Sequence, residues 1–370
     1  MVKKVLRGRN CLSRLPELME ALSIKRPLLV GSQRLTARLP VDGALFSGYH
    51  PNPDFADAAA GAALYRENAC DGLISIGGGS AMDTAKAVKA MLLSTNDDAA
   101  LRSELTGDEA IPHIAVPATA GTGAEATQFA VVYVAGRKVS LSHPALLPDG
   151  VVLDASLLDT LPVYHKKSCA LDALCQGIES YWAKGATEDS QVNAFLAVTG
   201  VLDNLRGYLA GDPAAAEGML EAAYRSGRAI QVSRTTAAHA MSYQITKRLD
   251  LAHGHACALT LPVLWEQMLN QEDALPVLMD LAQKMRLGSE YMPPKLLWGL
   301  LIDLGMEPER VPDEETLAQL ADSVDPERLS NHPVPLTRED LKRVYRLAFT
   351  RKAGPERQVC VDLWRYYGQA

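Results

Sequence analysis

Two sets of residues in this 370-residue chain have the types and spacing to do chemistry. In the first, Gly77, Gly78 and Gly79 follow the apolar run of Leu73, Ile74 and Ile76 and precede Ser80, where a helical pattern begins. Backbone N–H groups free of Cβ obstruction, at the positive end of a helix, suit a phosphate or a dinucleotide pyrophosphate. The run fits neither GxGxxG nor the P-loop pattern, so alone it points to phosphate or to a tight turn. In the second set, Asp172 and Gln176 lie i and i+4 on one helical face with Glu179 on the same side. His239 and Tyr243 share another face, and His253 follows a polar turn with His255 two residues on. A carboxylate, an amide oxygen and two imidazoles can hold one divalent ion and leave a position for a substrate oxygen. Taken singly, each is equally readable as a satisfied polar side chain.

The elements that must position these residues are legible in outline. Residues 11–24 predict an amphipathic helix with Leu12, Leu15, Leu18, Met19 and Leu22 on one face. Leu28, Leu29 and Val30 predict a buried strand. Gly31, Ser32, Gln33 and Arg34 then stand where a dinucleotide fold often reads the adenosine ribose. No acid is present there to bond a 2′-OH, and Arg34 would attract a 2′-phosphate, so NADPH is expected over NADH. Residues 53–68 predict an Ala-rich helix, and 111–117 a strand leading into PATAGTGAE, whose Thr119 and Thr122 could line a nucleotide. A hairpin is expected from 129–134 and 138–141 around Gly136, and a further strand at 151–154. This alternation predicts a parallel, doubly wound sheet through about residue 155, and helical periodicity takes over beyond Pro162. The expected organisation is an α/β nucleotide-binding domain over 1–160 and an all-α domain over 161–370.

A hydrophobic share of 48% with 22% charged residues is ordinary for a globular protein. The net charge of −7, with scattered Lys and Arg, disfavours a nucleic-acid partner while leaving room for a small anionic substrate. Six cysteines without CxxC pairing, no signal-peptide core after MVKKVLRGRN and no run of eighteen apolar residues lead to the expectation of a cytoplasmic protein with reduced thiols and no membrane association.

The segments IGGGSAMDTAKA, PATAGTGAEAT, LDALCQGIESYW and HAMSYQITKRLDLAHGHA, in that order, resemble the iron-containing (group III) alcohol dehydrogenases. The resemblance implies the dehydroquinate synthase-like fold of that family: an N-terminal nucleotide-binding α/β domain, an all-α C-terminal domain and an active cleft between them. By the same resemblance Gly77, Gly78, Gly79, Ser80 and Asp83 would cradle the pyrophosphate region. Thr119 and Thr122 would approach the ribose or nicotinamide, and Lys138 would reach the ribose; Ser32 is a cofactor-binding candidate from its place after the strand at 28–30. The family's metal ligands match Asp172, Gln176, His239 and His253, implying Fe²⁺ or Zn²⁺. Gln176 departs from the family's histidine, and an amide oxygen is a weaker, harder ligand than imidazole. Tyr243 stands where the family has a second histidine four residues after His239, and its hydroxyl could relay a proton.

ALCQGIESYW, TTAAHAMSYQIT and HGHA look like the branch of the family that reduces phosphonoacetaldehyde to 2-hydroxyethylphosphonate. An anionic aldehyde would need cationic or hydroxyl partners, for which Arg234, Thr235 and Thr236 are candidates. The expected activity is therefore metal-dependent, NAD(P)H-linked reduction of a small anionic aldehyde, with a second copy of the chain as a possible partner. Other small carbonyl substrates (phosphonopyruvate, lactaldehyde, simple aldehydes), a dehydroquinate synthase-like cyclase using NAD transiently, and a nucleotide-binding regulator without metal are the alternatives.

Overall fold

The computed structural model describes residues 2, 4–106, 111–308, 310–351 and 356–368. They form two compact units, Met1–Leu161 with Ala210–Gly227, and Pro162–Leu209 with Arg228–Ala370. The expected division at 160/161 thus omits one excursion, because residues 210–227 group with the first unit. Glycine packing is one cause: a Cβ on Gly123 (φ +60°) would lie 2.4 Å from the Gly227 Cα, so the two backbones touch where neither has a side chain. Arg7 adds a salt bridge to Glu221 at 3.0 Å.

The first unit is built on eight strands: β1 (Lys4–Arg7), β2 (Pro27–Gly31), β3 (Ala44–Phe46), β4 (Gly72–Gly77), β5 (His113–Pro117), β6 (Phe129–Val134), β7 (Arg137–Ser142) and β8 (Gly150–Leu153). Six of them form a parallel sheet in the order β1-β8-β5-β4-β2-β3, and β6 and β7 pair as the expected antiparallel hairpin. The edge strands β1 and β3 are additions to the sequence expectation; both are short and only partly buried, so they lack a continuous apolar run. By contrast β2, β4, β5 and β8 are buried at every residue, as strands covered on both faces must be. Leu28, Val30 and Leu73 pack on one face with the helices Phe55–Glu67 and Gly79–Leu92. Leu29, Ile74 and Ile76 pack on the other with Leu12, Leu15 and Leu18. Those leucines lie on a 3-10 turn, Cys11–Arg14, and a shorter helix than expected, Leu15–Ala21.

In the second unit every regular element among the described residues is helical. Val163–Trp182, Glu188–Leu209, Ala237–Leu249 and His253–Met268 carry or brace the polar constellation. Glycines set two of the approaches. A Cβ at Gly177 would lie 3.0 Å from the Ala194 carbonyl oxygen, and one at Gly254 would lie 2.0 Å from the Ser168 carbonyl oxygen and 2.7 Å from the Asp172 Cβ. Gly254 therefore lets the helix starting at His253 come against the one bearing Asp172. No described helix is long and apolar enough to cross a membrane.

Candidate functional site

In the first unit the candidate residues gather at the carboxyl ends of the sheet strands. The chain leaves β2 outward to β3, returns to β4, and then proceeds the other way through β5 to β8. The order therefore reverses between β2 and β4, where open α/β sheets bind ligands. Gly31, ending β2, pairs with Ile76, and Gly77, ending β4, pairs with Pro117, so Ser32, the triple glycine and the Thr119–Thr122 loop emerge side by side. Gly77 has φ +155°, a conformation that L side chains rarely adopt. Gly78 precedes the first turn of the helix Gly79–Leu92 with no side-chain cap, leaving that helix's first N–H groups to a ligand. Thr119 and Thr122 lie against the glycines: a Cβ on Gly78 would meet the Thr119 Cγ2 at 3.3 Å, and one on Gly79 the Thr122 Cγ2 at 3.1 Å. Ser80 Oγ accepts from the Asn52 N–H at 3.4 Å, and the exposed Ser32 caps the short helix after β2.

Asp83 lies beside the β6–β7 hairpin and Lys138 on it. Asp83 sits one turn into the helix and accepts the Val131 N–H at 3.1 Å, tying the β6–β7 hairpin down. Burial pushes its carboxyl up to about 6, with Lys86 and Lys138 pulling the other way. Lys138, on β7, is thus a neighbour of Asp83. Beneath them Lys86 is fully buried and donates to the carbonyl oxygens of Ala124 at 2.6 Å and Phe129 at 2.8 Å. Burial lowers it to about 8, and burial raises nearby Glu125 to about 7. This support under the Thr119–Thr122 loop was not visible in the sequence, where Lys86 reads as one more helical residue.

In the second unit Asp172, His239, His253 and Cys257 each turn one ligand atom to a common point, all within 4.8 Å of one another. His239 Nε2 is 3.2 Å and His253 Nε2 3.9 Å from Asp172 Oδ1. Cys257 Sγ is 3.9 Å from His253 Nε2. Glu179 organises this cluster. Its Oε2 is hydrogen-bonded to His239 Nδ1, which fixes the ring with Nε2 turned to the centre. Its Oε1 accepts from the Thr236 hydroxyl at 2.7 Å and the Ala238 N–H at 2.8 Å, capping the helix Ala237–Leu249 from another helix. Thr236 also accepts from Trp182 Nε1 at 3.0 Å.

The electrostatics follow from burial against close partners. Burial works to raise Asp172, but the hydrogen bond from His239 and the neighbouring His253 outweigh it and hold the carboxyl low. Burial likewise works to raise the Cys257 thiol, and the two imidazoles outweigh it, bringing it to about 7. Burial pushes Tyr243 up, so its hydroxyl keeps its proton. Two imidazoles, a carboxylate and a thiol with ligand atoms all within 4.8 Å of one another suit a divalent ion with N, O and S donors, so the donor set fits the metal expected from the sequence.

Gln176 lies beside the cluster, its amide nitrogen donating to Asp172 Oδ1 at 3.4 Å. Tyr243 stacks on His253 with ring centroids 6.0 Å apart, and its oxygen accepts from Arg328 at 2.5 Å. Thr236 is buried in the helix cap, Arg234 is exposed at a left-handed bend (φ +63°), and the Thr235 carbonyl accepts from Asn331 at 3.0 Å. His255 turns elsewhere, Nε2 donating to the Met306 carbonyl at 2.8 Å. Cys257 and Arg328 were missed by the sequence reading. An i, i+4 partner for His253 was the available signal for Cys257; Arg328 had none, since its contact spans 85 positions.

Two family models match the chain: "Iron-containing alcohol dehydrogenase" over residues 3–155 and "Fe-containing alcohol dehydrogenase family, C-terminal" over residues 167–349. Among curated relatives, the chain is 39% identical over 243 residues to a phosphonoacetaldehyde reductase of Streptomyces viridochromogenes, covering 62% of this chain and 61% of that one. It is 40% identical over 223 residues to the probable alcohol dehydrogenase EutG of Escherichia coli, covering 58% of this chain and 55% of that one. The alignments thus span little more than half the length of these relatives. The crystal structure of sulfoacetaldehyde reductase from Bifidobacterium kashiwanohense in complex with NAD+ superposes with a TM-score of 0.87 at 25% identity, over 95% of this chain and 98% of that one.

Proposed function

Because the chain belongs to the iron-containing alcohol dehydrogenase family, we propose that it is an NAD(P)H-linked reductase of a small anionic aldehyde. Phosphonoacetaldehyde is the first choice. The observation that carries the reading is the convergence of Asp172, His239 and His253 on one point, with Glu179 fixing His239. When bound, a divalent ion polarises a carbonyl oxygen as a Lewis acid, and a reduced nicotinamide supplies the hydride.

The chain's own residues hold and orient. Asp172, His239 and His253 hold Fe²⁺ or Zn²⁺. The uncapped N–H groups at Gly78–Gly79 take the pyrophosphate, with Thr119 and Thr122 beside them. Tyr243, stacked on His253 and accepting from Arg328, keeps a proton it can give to the product oxygen. A negatively charged substrate is supported by two features. Arg328 brings a cation over the Tyr243 ring at 4.9 Å, and two similar proteins are named for aldehydes that bear a phosphonate or a sulfonate. NADPH is preferred over NADH on the ground that no acid follows Gly31 and Arg34 stands exposed nearby.

The test is a kcat/KM screen of metal-loaded protein with phosphonoacetaldehyde, sulfoacetaldehyde, phosphonopyruvate, lactaldehyde and uncharged aldehydes, each with NADPH and NADH. The expected ranking puts phosphonoacetaldehyde with NADPH first. Equal turnover of uncharged aldehydes would remove the anionic substrate, an NADH preference would remove the choice of cofactor, and no net cofactor oxidation would remove the reductase.

A further inference from the structure

We propose that Cys257 ligates the divalent ion, so that this chain holds its metal with one carboxylate, two imidazoles and one thiolate, while Gln176 acts as a hydrogen-bond donor to the carboxylate ligand. Geometry carries the assignment. Bonds of about 2.0 to 2.3 Å to one ion at near-tetrahedral angles put neighbouring N, O and S donors roughly 3.3 to 3.8 Å apart, and such an ion can expand to a fifth position for a carbonyl oxygen. The separations of His239 from Asp172 (3.2 Å), His253 from Asp172 (3.9 Å) and Cys257 from His253 (3.9 Å) sit around that range, and all four donor atoms lie within 4.8 Å of one another before any ion draws them in. Cys257 lies one helical turn after His253, so one rigid helix delivers both donors to the same point.

The surroundings of the sulfur also suit a ligand. A buried free cysteine commonly serves as a small hydrophobe with a weak S–H donor. Cys257 is fully buried, yet its sulfur faces His253 Nε2 and belongs to the one group of imidazole, carboxylate and thiol found among the described residues. Gln176 presents an N–H to Asp172 Oδ1, a contact that orients a ligand's lone pairs. The exchange changes the chemistry of the ion. Thiolate is softer than an amide oxygen, favouring Zn²⁺ over harder ions. With Asp172 it also balances both positive charges of the metal. Binding then releases the thiol proton to solvent as the sulfur–metal bond forms.

This inference shares with the reductase reading only the presence of an ion; neither aldehyde nor nicotinamide enters it. The test loads the full chain with one equivalent of Co²⁺ and records its absorption. Wild type is expected to show a near-ultraviolet thiolate-to-cobalt charge-transfer band. Cys257→Ser should lose that band while keeping the visible cobalt bands, and Gln176→Ala should keep both. Should the serine variant fail to fold, X-ray absorption on zinc-loaded wild type decides, with one sulfur expected at about 2.3 Å. A first shell of nitrogen and oxygen alone, or a band that survives in Cys257→Ser, overturns the assignment. Protein that binds neither Co²⁺ nor Zn²⁺ overturns both this inference and the metal-dependent reading, whereas protein that shows the sulfur but reduces no aldehyde overturns the reductase alone.

Discussion

The glycine edge of the first unit and the polar cluster of the second are built on opposite plans. At the edge the candidate binding groups are backbone N–H donors, and the residues nearby are small: Gly77, Gly78, Gly79, Thr119 and Thr122. In the cluster the candidate ligands are side chains of Asp172, His239, His253 and Cys257, drawn from three helices, with His239 fixed by Glu179. A backbone site needs only a local turn and a helix start, and its main hazard is a side chain where none fits. A side-chain site needs correct helix packing, and its main hazard is loss of a donor or of whatever orients that donor. The two should therefore fail in different ways.

Substitution can break that contrast. The largest effect is expected from His239→Ala, which removes a donor and frees Glu179 inside the cluster. Metal content should fall towards zero and kcat/KM by about 10³-fold, with nucleotide affinity nearly unchanged in equilibrium titration. A parallel loss of nucleotide binding would show that the two regions are not separable. Next comes Glu179→Gln, which keeps the volume but weakens both the hold on His239 Nδ1 and the cap on its helix. Metal affinity should drop by about 10- to 100-fold, measured by competition with a chelating dye; an unchanged affinity would mean that His239 is oriented by packing alone.

Gly78→Val should produce the mirror image. Its branches would crowd Thr119, whose Cγ2 lies 3.3 Å from the position of a Cβ there. Nucleotide dissociation should rise about tenfold, roughly 1.4 kcal/mol, while metal content by elemental analysis stays at the wild-type level. An effect on stability alone, with no change expected in metal or nucleotide binding, sharpens the view of what lies under the edge. Glu125 is raised by burial to about 7 from an ordinary 4.5, so the folded state binds more protons than the unfolded one between those values. Its contribution to stability is present below pH 4.5 and is lost as pH rises through about 7. Glu125→Gln should therefore gain on wild type across that window, on the order of 1 to 3 kcal/mol, in thermal unfolding followed by calorimetry. A constant difference across the window would place the Glu125 titration elsewhere.

The two plans also account for how much could be read from the chain. The glycine run, the buried strands β2, β4, β5 and β8, the hairpin and the change to helical texture after Pro162 each depend on neighbours a few positions away. Composition and periodicity therefore sufficed. Asp172, His239 and His253 were nameable by resemblance, because a motif preserves residue types even when it says nothing of directions. Folding decided the rest. Residues 210–227 join the first unit through a glycine contact 104 positions apart, from Gly123 to Gly227. Asp83 turns to a strand backbone, Gln176 turns its nitrogen to Asp172, and Cys257 turns its sulfur to the histidines. Residue type and spacing determine which groups are available and which share a face. Which way a given side chain points, and what it meets there, is set by how closely helices approach, as where the missing Cβ of Gly254 lets His253 reach Asp172.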